Sequence, residues 1–272
     1  MTDLTRRARR AEGSTAVRVL GVLGWSSYGT VHLVIAWLAV EVSLGERQEQ
    51  PAPQGAIAKL AQQPVGSALL AALAAGLGAF AVSQLVMAVI GFRWVQERPT
   101  RIARKLGALG RAVFSLGLGL LAARQCAGER IGSSSAQQQH LTADLLRLPA
   151  GWVLVAVVAV AVLVVAVATV RRGLLRSFRE DLDLSGLSER TRCWVERVGL
   201  VGWVAKGLAY AGIGVLLAAA AVSSDPGKSG GLDRALHLLA GPLAGRIALW
   251  SIATGFVAFA AFCLTAAATH RR

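Results

Sequence analysis

Six long apolar stretches, separated by polar and charged segments, occupy approximately residues 19–44, 66–91, 106–123, 151–170, 198–222 and 246–268. Each reaches the roughly 17–25 residues that a helix needs to cross a hydrocarbon core about 30 Å thick. Six transmembrane helices are therefore predicted. The fourth, WVLVAVVAVAVLVVAVATV (152–170), is apolar on every side, a pattern for which a water-soluble core helix has no use. The third is the shortest, and it carries Arg111.

The pattern repeats. Shifts of 86 and 178 residues superpose Gly21-x-x-Gly24 on Gly107-x-x-Gly110 and Gly199-x-x-Gly202. The longer shift also lays Trp25 on Trp203, Gly29 on Gly207, and Tyr28-Gly29-x-x-His32 on Lys206-Gly207-x-x-Tyr210. The second helix of each pair has its own preamble: Leu60-x-x-x-Pro64-x-Gly66, Leu145-x-x-x-Pro149-x-Gly151 and Leu238-x-x-x-Pro242-x-x-Gly245. The chain reads as three tandem helical hairpins. Each hairpin has an even number of spans, so all three enter the membrane in one orientation and are expected around an axis along its normal. The predicted fold is an all-α integral membrane protein, a six-helix bundle with a pseudo-threefold arrangement about that axis. The segments are a basic tail at 1–17, hairpins at 18–92, 104–172 and 197–270, and a linker at 173–196. A short interfacial helix is expected in each outer connection, broken near the proline, because a proline at a helix start loses no hydrogen bond.

Composition agrees with this class. Of the 272 residues 54% are hydrophobic, and the mean hydropathy is +0.54. The formal charge of +14 would suggest nucleic acid in a soluble protein, but its distribution points elsewhere. Residues 1–18 carry five Lys/Arg, 92–105 five, 171–198 seven and the last two positions two, against two, three and three in the alternate connections. By the positive-inside rule both termini face the cytoplasm. The cluster RRARR (6–10) is read as a topology determinant beside anionic lipid, with no nucleic-acid role. No removable signal peptide is apparent, since the first apolar run starts late and is full length. Cys126, Cys193 and Cys263 are far apart and read as ordinary thiols.

The chain uses four lysines against 25 arginines, and Lys206 stands inside VGWVAKGLAYAGIG (201–214). Gly199, Gly202, Lys206 and Tyr210 recur at helical spacing and share one face, as do Gly21, Gly24, Tyr28 and His32. The matching face of the middle unit is Gly107, Gly110, Phe114 and Leu118, with Arg111 beside it. Small residues at this spacing let helices approach closely in lipid. The three faces are expected to meet at the bundle interior, with the second helices toward lipid, and Gly29 and Gly207 are counted among the helix-packing glycines. From Arg197 to Lys206 is nine residues, about 14 Å of helix, which takes Lys206 deep into the core. An ionisable group there costs about 2.5–3.5 kcal/mol. Two readings stand. Either Lys206 snorkels or hydrogen-bonds within the bundle and sets helix register, or Lys206, Tyr210, Tyr28, His32 and Arg111 line a hydrated site for an anion, a lipid headgroup or a proton. Glu41 is expected to be solvated near the outer face, and Gln84 to hydrogen-bond between helices.

Other motifs fail. Gly227-Lys228-Ser229 lacks the glycine of a phosphate loop, since Val222 stands five residues before Gly227. Gly76-x-Gly78 and Gly117-x-Gly119 lie inside apolar helices, where no dinucleotide turn is found. His32, His140, His237 and His270 lack metal-ligand spacing, and no nucleophile elbow or paired carboxylates occur at membrane depth. No metal, cofactor or catalysis is expected. The linker at 171–198 reads as a solvated connector, an amphipathic surface helix or a docking site for a cytoplasmic partner.

FREDLDLSGLSERTR (178–192), WVAKGLAY (203–210), SSDPGKSGGLDRAL (223–236) and LLAGPLAG (238–245) resemble a family of actinobacterial membrane proteins of unknown function built from three tandem two-helix repeats. The resemblance covers nearly the whole chain and is strongest in the last repeat. It implies a six-span plasma-membrane protein without an established activity. The family pattern, a basic residue, glycine, two residues and an aromatic, is met by Lys206, Gly207 and Tyr210. The first repeat has Tyr28 and His32 instead, and the middle one Phe114, Ser115 and Leu118. Three roles are expected in turn: a non-catalytic structural or interaction protein, a small transporter or channel around Lys206 and His32, or a lipid-binding accessory of a membrane enzyme.

Overall fold

The computed structural model describes residues 15–45, 51–91, 98–129, 134–230, 232–237 and 243–269. The basic cluster at 6–10, His270 and Pro242 lie outside them. The helices are α1 (Thr15–Ser43), α2 (Pro53–Ala61), α3 (Gly66–Ile90), α4 (Arg98–Cys126), α5 (Ser134–Leu146), α6 (Gly151–Leu174), α7 (Glu189–Ser223), α8 (Leu232–His237) and α9 (Leu243–Thr269). The described residues contain no strand. Helices α1, α3, α4, α6, α7 and α9 are long and apolar enough to cross a membrane, and they form three successive pairs. The connection within each hairpin carries a short α-helix, α2, α5 or α8, the last preceded by a 3₁₀ turn at Pro226–Lys228.

Local chemistry sets the turns. Pro53 occupies the first turn of α2, where its missing N–H costs nothing. After Pro64 and Pro149 the chain reverses so tightly that glycine is required. A Cβ on Gly66 would stand 2.9 Å from the Leu60 carbonyl oxygen, and one on Gly151 2.9 Å from the carbonyl carbon of Leu145, its repeat equivalent. At the other end Ser188 caps α7 by accepting the Thr191 N–H at 3.2 Å. Glu41 is tied down rather than simply solvated: it pairs with Lys59 at 3.1 Å and accepts from Trp37, which fastens α2 to α1.

The second helix of each hairpin packs on the first helix of the next: α3 on α4, α6 on α7, and α9 on α1. Within hairpins α1 packs on α3 and α7 on α9, whereas α4 and α6 form no seam. The order around the bundle is thus α4, α3, α1, α9, α7, α6, a pseudo-threefold ring left open at the middle hairpin. The closed hairpins share one contact. A Cβ on Gly24 would stand 2.6 Å from the Phe80 Cα, and one on Gly202 2.6 Å from the Phe259 Cα. The contacts between repeats match too, with Gly29 against Ala260 and Cys263, and Gly207 against Ala166 and Val170.

Two expectations need correction. The glycine faces do not all turn inward: Gly21 is half-buried, and Gly107 and Gly110 are exposed, Gly110 with nothing within 4 Å of a built Cβ. The reason is that the middle hairpin carries Val165 where its siblings carry Phe80 and Phe259, so no ring fills the glycine groove. Nor do the second helices face only lipid. Phe80 of α3 and Phe256, Phe259 and Phe262 of α9 are fully buried, whereas only 17% of the α6 span is buried.

The described linker is a solvated connector only in part: residues 183, 185, 186 and 188–194 are exposed, but its start is fastened to the bundle. It makes a short 3₁₀ turn (Ser177–Asp181) that presses Phe178 and Leu182 into the basic end of the bundle, the Phe178 ring centroid 5.2 Å from that of Phe262. Glu196, 11% exposed, holds this turn by pairing with Arg176 at 3.2 Å, Arg179 at 3.1 Å and Arg192 at 3.4 Å. Glu180 adds a pair to Arg104 of α4. The arginines are one third to one half exposed, so solvent screens part of this attraction. Glu196→Gln is expected to cost about 1–2 kcal/mol, well below the 3–5 kcal/mol of a wholly buried pair. Melting in detergent at low salt, with the loss shrinking as salt rises, is the check; equal melting of variant and wild type at low salt would contradict it.

Candidate functional site

The repeat shifts define three layers of equivalent positions on the first helices. Nearest the basic end are Trp25, Arg111 and Trp203. One turn deeper are Tyr28, Phe114 and Lys206, then His32, Leu118 and Tyr210. A pseudo-threefold axis brings equivalent positions together, and here it does so unevenly.

In the middle layer Lys206 Nζ donates to the Tyr28 hydroxyl at 2.6 Å. Both side chains are buried, and the third equivalent, Phe114, is 45% exposed because α4 stands away from α6. The ammonium lies 4.6 Å from the Tyr28 ring centroid, 4.2 Å from that of Phe259, and 5.8 Å from those of Trp203 and Tyr210. Four ring faces thus replace part of the lost hydration, and such cation–π contacts strengthen when desolvated. In the third layer the His32 Nδ1–H donates to the Tyr28 carbonyl at 2.8 Å, and its ring packs 4.7 Å from Phe259. That bond fixes the tautomer, since a carbonyl only accepts. Tyr210 is half-buried.

Lys206, Tyr28 and His32 therefore converge around Phe259, with Tyr210 at the ammonium instead, its ring centroid 5.8 Å from it. Arg111 does not join them. It lies half-buried in the first layer, where its Nε donates to Gln84 Oε1 at 3.0 Å, an interhelical bond from α4 to α3. There it shares a cleft with Trp25, Trp203 and Arg172, floored by Phe178 and Leu182. The cleft is small and partly open to the outside. The Arg172 guanidinium lies 4.5 Å from the Trp203 ring centroid, and no acceptor among the described residues meets the buried Trp203 indole N–H.

Sequence reasoning missed Arg172, Trp25, Trp203 and Phe259 as members of this interior. The signal for the first layer was present, because the shift of 86 that aligns the glycines also lays Trp25 on Arg111. Arg172 gave none, since a cation at a helix end reads as a topology residue. Among the described residues no group of three or more His, Cys, Asp or Glu is placed to hold a metal. Cys126 and Cys193 are exposed and Cys263 is buried, all as free thiols. At Gly227 the amide is taken by Asp225 Oδ1 at 2.8 Å, which leaves it no phosphate-loop geometry.

The chain is 24% identical over 248 residues to the uncharacterized protein YxxB of Bacillus subtilis (strain 168), covering 91% of this chain and 89% of that protein. No solved structure matches it. The family model of a Domain of Unknown Function, DUF1206, matches three times, at residues 23–91, 106–176 and 201–270, one match per hairpin. With most of its length so matched in three copies, this six-span membrane chain belongs to the DUF1206 family.

Proposed function

We infer that this chain is a non-catalytic plasma-membrane protein of an actinobacterial cell, with both termini in the cytoplasm, that acts by presenting a fixed surface to lipids and other proteins. The observation that carries this reading is the engagement of Lys206. Its ammonium is bonded to Tyr28 and enclosed by four rings, which suits a clamp holding α1, α7 and α9 in register rather than a group that loads and releases cargo. The uneven distribution of arginine supports the orientation, and the basic end suits anionic lipid. Trp194, 54% exposed at the start of α7 and flanked by the exposed Arg190 and Cys193, is a contact for a cytoplasmic partner at the linker.

Lys206→Met separates this reading from a transporter built around Lys206 and His32. A clamp loses one buried hydrogen bond, about 1 kcal/mol, and melting falls by about 2–4 °C for a chain of this size. Vesicles carrying the wild type or the variant should show no flux of protons or common ions. Flux in the wild type that vanishes in the variant with melting unchanged would sink the reading and favour the transporter.

A further inference from the structure

Phe178 is seated in a socket. A Cβ on Gly199 of α7 would stand 2.6 Å from Cε2 and Cζ of its ring, so the side chain absent at Gly199 is what admits the ring. Phe178 and Leu182 close the cleft on one side, and Ala266 of α9, which lines the same cleft, is fully buried. The segment that carries the ring is tied by charge. Glu196 holds Arg176 and Arg179 of this segment and Arg192 of its own helix, and Glu180 pairs with Arg104. Arg176 and Arg179 are one third to one half exposed, so salt reaches their pairs. Both ends of the segment can yield. Arg176 has a φ of +52°, a left-handed conformation that is costly without glycine, so the closed form holds strain that opening releases. Ser185 and Gly186 at the other end are exposed, and a Cβ built on Gly186 meets nothing within 4 Å.

We propose that residues 175–187 form a lid over the basic end of the bundle, with Phe178 as its plug and Glu196 as its latch, and that the lid opens while the bundle stays folded when Glu196 loses its hold on the arginines. Segments held by exposed pairs and one or two buried side chains open locally, at less than the cost of global unfolding. Opening here removes Phe178 and Leu182 from the core, and two gains offset part of that loss. The strain at Arg176 is relieved, and water reaches the Trp203 indole N–H, which is buried without an acceptor among the described residues. The lid thus controls whether water enters the first layer, one helical turn from Lys206. It adds a moving part to a chain read above as a fixed surface, and it does not depend on the role of Lys206.

The test places a thiol under the lid by Ala266→Cys in the full chain, with Cys126→Ser and Cys193→Ser to remove the exposed thiols. Native Cys263 is the control, since it is equally buried but packs against Gly29 of α1 instead of lining the cleft. The protein in neutral detergent is treated with N-ethylmaleimide, and each position is followed by peptide mass spectrometry. Raising KCl from about 0.02 to about 0.5 M is expected to speed labelling at position 266 by about tenfold and to leave Cys263 unchanged. Adding Glu196→Gln should give the fast rate already at low salt and flatten the salt response. Gly199→Ala keeps every charge but drives the ring from its socket, and should speed labelling at 266 by about tenfold or more at low salt. Equal labelling at 266 in all three chains overturns the proposal. A parallel rise at Cys263 overturns it as well, because the whole bundle would then be loosening. A rise with Gly199→Ala and none with Glu196→Gln also overturns it, since a plug without a latch does not respond to charge.

Discussion

Gly202→Leu is expected to abolish the folded protein, whereas Gly110→Leu, at the equivalent position of the middle hairpin, is expected to leave it intact. At Gly202 a built Cβ stands 2.6 Å from the Phe259 Cα and backbone nitrogen, so relief requires α7 and α9 to move apart. No rotamer change suffices, because the obstacle is main chain. Overpacking a close-packed interior costs about 1–3 kcal/mol when side chains can give way and more when backbone must move. Here about 3 kcal/mol or more is expected, because separation of the helices also removes Phe259 from Lys206 and from Trp203, whose ring centroid is 5.5 Å away. Gly24→Leu should behave alike, with Phe80 as the obstacle. At Gly110 nothing lies within 4 Å, and the leucine faces lipid, so the change should stay within about 0.5 kcal/mol. Yield of monodisperse protein and melting in detergent read all three. A loss at Gly110 as large as at Gly202 would mean that the middle hairpin closes like the others.

That asymmetry marks the boundary of what the residues disclose on their own. Span length and repeat spacing are strong signals, because a bilayer imposes the first and tandem copying preserves the second, and both yield the six helices and their pairing. The meeting of Tyr28 with Lys206 was legible in principle: they occupy one repeat position 178 residues apart, and an axis through equivalent positions makes them neighbours. What the glycine pattern hides is the partner. A glycine groove closes only where the facing helix offers a knob, and Val165 stands where Phe80 and Phe259 serve, a difference of one side chain on a helix apolar all round. The linker was legible only in part, since 183, 185, 186 and 188–194 are exposed as its charges imply while its start is not. Its charges suggested water, yet Glu196 gathers Arg176, Arg179 and Arg192 locally and frees Phe178 to enter the bundle. A charged connector can thus stay largely in water and still bury a ring at one point, because a single carboxylate shared by three arginines fixes the turn beside it.

Lys206→Glu is the second severe change, expected to cost about 3–5 kcal/mol, the range for a buried charge left without its counterpart. The steric change is small and the electrostatic one reverses. Ring faces are negative, so the four rings that attract the ammonium at 4.2–5.8 Å repel a carboxylate held among them. The Tyr28 hydroxyl can turn to donate, which offers one charge-assisted bond of about 1.5–3 kcal/mol against the desolvation of a carboxylate. The balance stays unfavourable, because Lys206 is only 4% exposed and the carboxylate cannot reach water on its shorter stem. A loss several times that of Lys206→Met is therefore the expected signature of a cage built for a cation. Tyr28→Phe probes the same bond from the other side, since it leaves a buried ammonium without its oxygen acceptor. Combining Tyr28→Phe with Lys206→Met should cost less than the two losses added, as contacting partners couple. Strict additivity in that cycle would mean the two side chains do not meet, and the axis through equivalent repeat positions would then pass elsewhere.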